Sequence, residues 1–215
     1  MNKPTEIVFV LDKSGSMFGL EAETVKGFNS MIQKQKELDA PCQVTTVLFN
    51  NQMSLLYDGT DLKNVKPMKV QNFEVGGSTA LLDALGLTIK KMKKRLKEET
   101  GSQDSKQVLF VIITDGEENS SHLYSLDKIK KMIDKQQKKH GWEFIFLGAN
   151  IDAAKAASQI GIEADHAADY SADEEGTMLN FEAMSEAAAS FRCESAIPQA
   201  PLNAVRENAA RKRRK

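Results

Sequence analysis

Asp12, Ser14 and Ser16 stand two residues apart at the end of the apolar run Ile7-Val8-Phe9-Val10-Leu11, and together they could do chemistry. A carboxylate and two hydroxyls form a hard-oxygen surface, the donor type that suits Mg²⁺, Ca²⁺ or Mn²⁺ rather than zinc or copper. Alone, the turn has an equally good local reading, because Ser and Asp also open helices and bond to their own backbone. Two more polar residues occupy comparable places. Thr79 follows Gly76-Gly77-Ser78 and opens an amphipathic stretch, and Asp115 follows Val108-Leu109-Phe110-Val111-Ile112-Ile113-Thr114.

Taken in order, Asp12-x-Ser14-x-Ser16, Thr79 in Gly-Gly-Ser-Thr-Ala-Leu and Asp115 in Ile-Thr-Asp-Gly-Glu resemble the metal-ion-dependent adhesion site (MIDAS) of von Willebrand factor A domains. The likeness covers about residues 5 to 192, with no motif position missing, and is nearest in kind to the stand-alone bacterial or phage members of that family. It implies that Ser14, Ser16 and Thr79 offer hydroxyl oxygens, while Asp12 and Asp115 bind directly or through water. The implied cofactor is Mg²⁺, or Mn²⁺ or Ca²⁺. Mg²⁺ takes about six oxygens and keeps several waters, so two aspartates neutralise the ion while it stays electrophilic enough to accept one more carboxylate. The implied function is therefore metal-dependent protein binding, with a Glu or Asp of an unidentified protein partner completing the shell and no bond made or broken.

An enzyme reading competes. Asp12 also stands where a haloacid-dehalogenase-like phosphatase places its nucleophile, which makes a Mg²⁺-dependent phosphoryl-transfer enzyme the alternative. Ser14, however, replaces the acid expected two residues on, and a hydroxyl cannot do its acid/base work near neutral pH. Gly76-Gly77-Ser78-Thr79 lacks the Gly-Lys-Ser/Thr ending of a phosphate-binding loop. His122, His140 and His166 have no zinc-pair spacing, and Gly-x-Ser-x-Gly is absent. No catalytic constellation emerges, and the expectation is a protein that is not an enzyme. Glu117, Glu118 and His122 follow Asp115 and read either as a rim facing a partner or as ordinary loop and helix-start residues.

Strand and helix signals alternate along the chain. The pattern predicts an α/β, Rossmann-like, doubly wound and mostly parallel sheet with helices on both faces. Residues 6–11 and 108–114 read as buried central strands, with further strands at 43–49, 52–57 and 142–147. Asn50-Asn51 joins two of these as a hairpin-like turn, which implies one antiparallel edge strand. Helices are expected near 19–38, from Thr79 to Gly101, and over 125–139, 149–160 and 174–191. Strands of this kind deliver ligand-binding residues at their carboxyl ends, where strand order reverses. The basic run Lys90–Lys97 is interrupted by apolar residues at helical spacing and reads as a solvated helix face.

A chain of 215 residues, 41% hydrophobic and 27% charged, is long enough for one sizeable core. Neither a signal peptide nor a run of about 20 apolar residues is visible. Together with Cys42 and Cys193, which lack metal or redox spacing and read as reduced thiols, this points to a cytoplasmic protein. Residues 1–192 form the expected domain, and 193–215 read as a disordered basic tail. Without Arg211–Lys215, residues 1–210 hold 24 basic against 30 acidic residues, a net charge of −6. The body is acidic, no membrane contact is expected, and nucleic acid would meet only weak, salt-sensitive attraction from the tail.

Overall fold

Neither β1 (Thr5–Asp12) nor β4 (Gln107–Thr114) has a face left for water: Ile7, Phe9 and Leu11 bury on one side of β1, and Val8 and Val10 on the other. Such two-sided strands belong at the centre of a covered parallel sheet. In the computed structural model, which describes residues 3–214 apart from the side chain of Thr100, they lie there side by side. The sheet has six strands in the order β3-β2-β1-β4-β5-β6, with β2 at Cys42–Phe49, β3 at Met53–Asp61, β5 at Glu143–Gly148 and β6 at Ala167–Asp169. Only β3 runs antiparallel, as the Asn50-Asn51 hairpin predicts, and it continues beyond residue 57 past irregularities in its pairing with β2.

Helices α1 (Glu21–Lys36), α5 (Glu174–Glu194) and α6 (Gln199–Arg213) cover one face, where Phe28, Met184 and Leu202 join the core. Helices α2 (Leu81–Thr100), α3 (Leu126–His140) and α4 (Ala153–Gln159) cover the other, around Leu85, Ile129 and Trp142. Helix ends follow local chemistry. Gly101 and Gly141 take the left-handed conformation that closes α2 and α3, and the Asp173 side chain accepts from Gly176 N–H to open α5. Helix α4 is shorter than expected: Asn150 has φ 56°, and Asp152 caps a helix that begins only at Ala153.

Three sequence expectations need correction. The supposed tail is helix α6, which buries Leu202 and Val205 completely or nearly so. Its basic end is paired with the acidic body through Arg211–Glu175, Lys212–Asp173 and Arg213–Asp169, while Lys215 lies outside the described residues. Strand β6 is a sixth strand beyond the five expected, unannounced because Ala-Ala-Asp carries no β-branched or aromatic signal. The basic face of α2 is not simply solvated. Arg95 reaches the fully buried Glu6 and also Asp58 and Glu99, so it neutralises a carboxylate at the amino end of β1. Cys42 and Cys193 form no disulfide, and burial pushes the Cys42 thiol up to about 12. Among the described residues no helix is long and apolar enough to cross a membrane.

Candidate metal centre

The carboxyl ends of β1 and β4 meet at the point where strand order reverses, since β1 continues to β2 on one side and to β4 on the other. Asp12 ends β1. Its Oδ1 accepts from the Ser14 backbone N–H at 2.7 Å, which turns the chain sharply into the single 3₁₀ turn Gly15–Met17 carrying Ser16. Its Oδ2 accepts the Thr114 hydroxyl at 2.6 Å from the end of β4. Asp12 is therefore fixed from both strands and only 1% exposed.

The three hydroxyls and the second carboxylate converge beyond it. Ser16 Oγ donates to Asp115 Oδ1 at 2.5 Å, and Ser14 Oγ lies 3.0 Å from Ser16 Oγ, placed to donate to it. A β-carbon on Gly116 would stand 3.2 Å from Ser16 Oγ and 3.4 Å from Thr79 Oγ1, so Thr79 belongs to the same cluster. Ser16 is exposed, whereas Ser14, Thr79, Asp12 and Asp115 are buried. The cluster opens to solvent through one hydroxyl and the neighbouring Gly15. All five residues singled out in the sequence thus share one sheet edge.

The loop that presents Thr79 is tied down by its backbone. Gly15 N–H donates to Gly77 O at 3.0 Å, Gly76 N–H donates to Lys13 O at 3.0 Å, and the Asn50 amide donates to Gly76 O at 2.7 Å. Gly77 sits at φ 78°, and a β-carbon there would fall 2.1 Å from Asn51 Oδ1, so only glycine fits. Thr79 itself is clamped by Asn119, whose side chain accepts its N–H at 2.9 Å while the Asn119 N–H donates to Thr79 O at 3.0 Å.

Helix α2 lacks a capping side chain of its own at Ala80. The loop after β4 provides one: Glu118 accepts from Leu82 N–H at 2.9 Å and from Ser121 N–H and Oγ, and Ser121 Oγ accepts from Asp83 N–H. In return Asp83 accepts from the N–H groups of His122, Leu123 and Tyr124. The carboxylate of Glu118 is thus a helix cap supplied from another element, and His122 is an exposed loop residue that braces through its backbone. Sequence reasoning missed Thr114, Asn119 and this use of Glu118. Only Thr114 left a signal, as the one polar residue ending an otherwise apolar strand.

The electrostatics are those of an anionic cluster short of positive charge. Burial raises the Asp12 carboxyl despite its hydrogen bonds to Thr114 and Ser14. Burial likewise pushes Asp115 up to about 6, against the lowering effect of the Ser16 hydroxyl and with the Asp12 charge adding to the rise. Tyr170, fully enclosed nearby, has its hydroxyl pushed upward by burial and by both aspartates. Asp115 Oδ2 is buried without a hydrogen-bond partner, a costly state that a cation would relieve. Among the described residues no group of three or more His, Cys, Asp or Glu side chains is arranged to hold a metal. The donor set here is instead two carboxylates with three hydroxyls, which fits a hard divalent cation.

Comparison with known proteins agrees with this architecture. Among solved structures, proximal thread matrix protein 1 from the mussel byssus, with a zinc-occupied MIDAS motif, is 14% identical with a TM-score of 0.58 over 87% of this chain and 46% of that one. The manganese-loaded TRAP protein of Plasmodium vivax is 16% identical with a TM-score of 0.58, over 83% of this chain and 72% of that one. VWA2, the ArnB paralogue of Sulfolobus acidocaldarius, is 18% identical with a TM-score of 0.55, over 87% and 45%. This chain spans less than half the length of the first and third of these, and at such identities the likeness concerns fold alone. No curated protein matches its sequence. The family model of the von Willebrand factor type A domain matches residues 6–183, from the second residue of β1 into α5 and across all three motifs at the sheet edge, and the chain belongs to that family.

Proposed function

We propose that the protein is a metal-dependent protein-binding module whose site is Asp12, Ser14, Ser16, Thr79 and Asp115. The observation that carries the reading is Asp115 Oδ2, a buried carboxylate oxygen without a partner, on a side chain whose Oδ1 accepts the Ser16 hydroxyl in the cluster with Ser14 and Thr79. Mg²⁺, with Mn²⁺ or Ca²⁺ as substitutes, would supply a Lewis-acid contact for a Glu or Asp carboxylate of a partner protein. The residues of the chain do the rest. Thr114 and the Ser14 N–H orient Asp12, Asn119 holds Thr79 in place, and Ser16, exposed at the rim, leaves the approach open.

The phosphoryl-transfer alternative fares worse on the same geometry. Asp12 is only 1% exposed, which leaves a phosphate ester, far larger than a metal ion, no open approach to its oxygens, and Ser14 stands where such an enzyme needs its general acid. A cytoplasmic location, which keeps the Cys42 and Cys193 thiols reduced, completes the proposal.

Calorimetric titration of chelator-treated protein with Mg²⁺, Mn²⁺ and Ca²⁺ tests it. A single site per chain is expected, abolished in Asp12→Ala while the circular dichroism spectrum persists. Failure of the unaltered protein to bind any of the three ions overturns the reading.

A further inference from the structure

The most exposed large apolar side chain among the described residues is beside the donor cluster. Phe18, two residues after Ser16, is 81% exposed. With Val70, 48% exposed, and Val75 it lines a depression of about 590 Å³ between the 3₁₀ turn that carries Ser16 and the loop that leads to Thr79. Phe18 and Val70 thus offer apolar contact area to a molecule bound at this edge. Aromatic side chains, Phe among them, are enriched at the cores of interfaces.

The charged residues that line this shelf are all acidic. Glu21 and Glu23 from the first turn of α1 and Glu74 from the loop line it, and no Lys or Arg does. Glu21 is fixed by accepting the Gly19 N–H at 2.7 Å. On the other side of the cluster, a second depression of about 370 Å³ touches Gly116 and Leu126 and carries Glu117, Glu118 and Asp152 against Lys155 alone. Asp115, whose Oδ2 is buried without a hydrogen-bond partner, immediately precedes Gly116 of the second depression. The site therefore asks for one carboxylate, yet its surroundings repel a generally acidic segment.

We infer that the partner offers an extended segment with a single Glu or Asp flanked by Lys or Arg and by aromatic or aliphatic residues. The carboxylate goes to the metal, the apolar side chains cover Phe18 and Val70, and the cationic ones meet Glu21, Glu23 and Glu74. Discrimination comes from the shelf, whereas the donor cluster accepts any accessible carboxylate. This inference rests on the metal-bridged reading proposed above.

A displayed peptide library with one fixed central Glu and random flanks, selected on the full chain in Mg²⁺ and eluted with chelator, provides the test. The expected flanks are enriched in Lys or Arg and in Phe, Leu or Val. The triple variant E21Q/E23Q/E74Q erases the cationic preference and weakens the best peptide about tenfold at low salt, from three pairs of modest strength. F18S erases the apolar preference and weakens that peptide by about tenfold. Both variants keep the Mg²⁺ affinity of the unaltered protein in a parallel titration. Flanks enriched in Asp or Glu, flanks unchanged in the triple variant, or no chelator-eluted peptide from protein that titrates with Mg²⁺ would each overturn the inference. Loss of the Mg²⁺ titration itself would instead remove the metal-bridged reading on which it stands.

Discussion

Replacing Asp115 by Asn should stabilise the metal-free protein and destabilise the metal-loaded one, a crossing of signs that few other substitutions in this fold would give. The Asp115 carboxyl is raised from 3.8 to about 6 by burial, with Asp12 adding to the rise. At about 1.36 kcal/mol per pKa unit, ionising it costs the folded protein at most about 3 kcal/mol. Ser16 on the same edge is exposed, so water screens part of this, and about 1–2 kcal/mol is the expected net cost. Because the folded-state value lies above the unfolded one, the stabilising contribution is complete below about pH 3.8 and is lost as pH rises through about 6. The side-chain amide of the Asp115→Asn variant stays neutral throughout and still accepts the Ser16 hydroxyl. In chelator at about pH 7.5 the variant should therefore melt about 2–8 °C higher, at 2–4 °C per kcal/mol for a chain of this size. In excess Mg²⁺ the unaltered protein gains by mass action, the variant gains little, and the order reverses. Thermal melts by circular dichroism in chelator and in Mg²⁺, repeated near pH 4 where the chelator difference should shrink, measure this directly. A variant that melts lower in chelator at about pH 7.5, or that gains as much from Mg²⁺ as the unaltered protein, would refute the argument.

Glu118→Ala removes the cap that α2 borrows from the loop after β4, at a cost of about 1–3 kcal/mol; faster amide exchange at Leu82 together with weaker Mg²⁺ binding would show that the brace also positions Thr79. Leu202→Ala should lower stability in urea by about 2–4 kcal/mol because Leu202 is wholly buried. A change near zero would mean that α6 contributes nothing to the fold.

What the sequence alone made legible divides along the range of the interactions concerned. Strands β1 and β4 announce themselves through continuous apolar runs, and α2 through its stripe of Leu85, Ile89, Met92 and Leu96, because burial writes its period into the chain. The site residues are readable for a similar reason: each is a polar residue at the end of such an element. The shortfalls lie where the partner is distant in sequence. Helix α6 carries few apolar residues and two prolines near its start, and it reads as disordered until Asp169, Asp173 and Glu175 are brought beside its cations. Pro201 fits because the first turn of a helix needs no donor there. Glu118 reads as a surface acid until Leu82 is found within 2.9 Å of it. Arg95 reads as a solvated cation because nothing near it in sequence reveals the buried Glu6.

The mutual bracing of the Thr79 loop and the loop after Asp115 bears on the timing of recognition. Asn119 with Thr79, Glu118 with Leu82, and Asp83 with His122, Leu123 and Tyr124 fasten the two loops to each other before any ligand arrives. Little ordering entropy is then left to lose on association. Encounter need not wait for loops to find their places, so partners of different strength should arrive at similar rates and differ mainly in how long they stay.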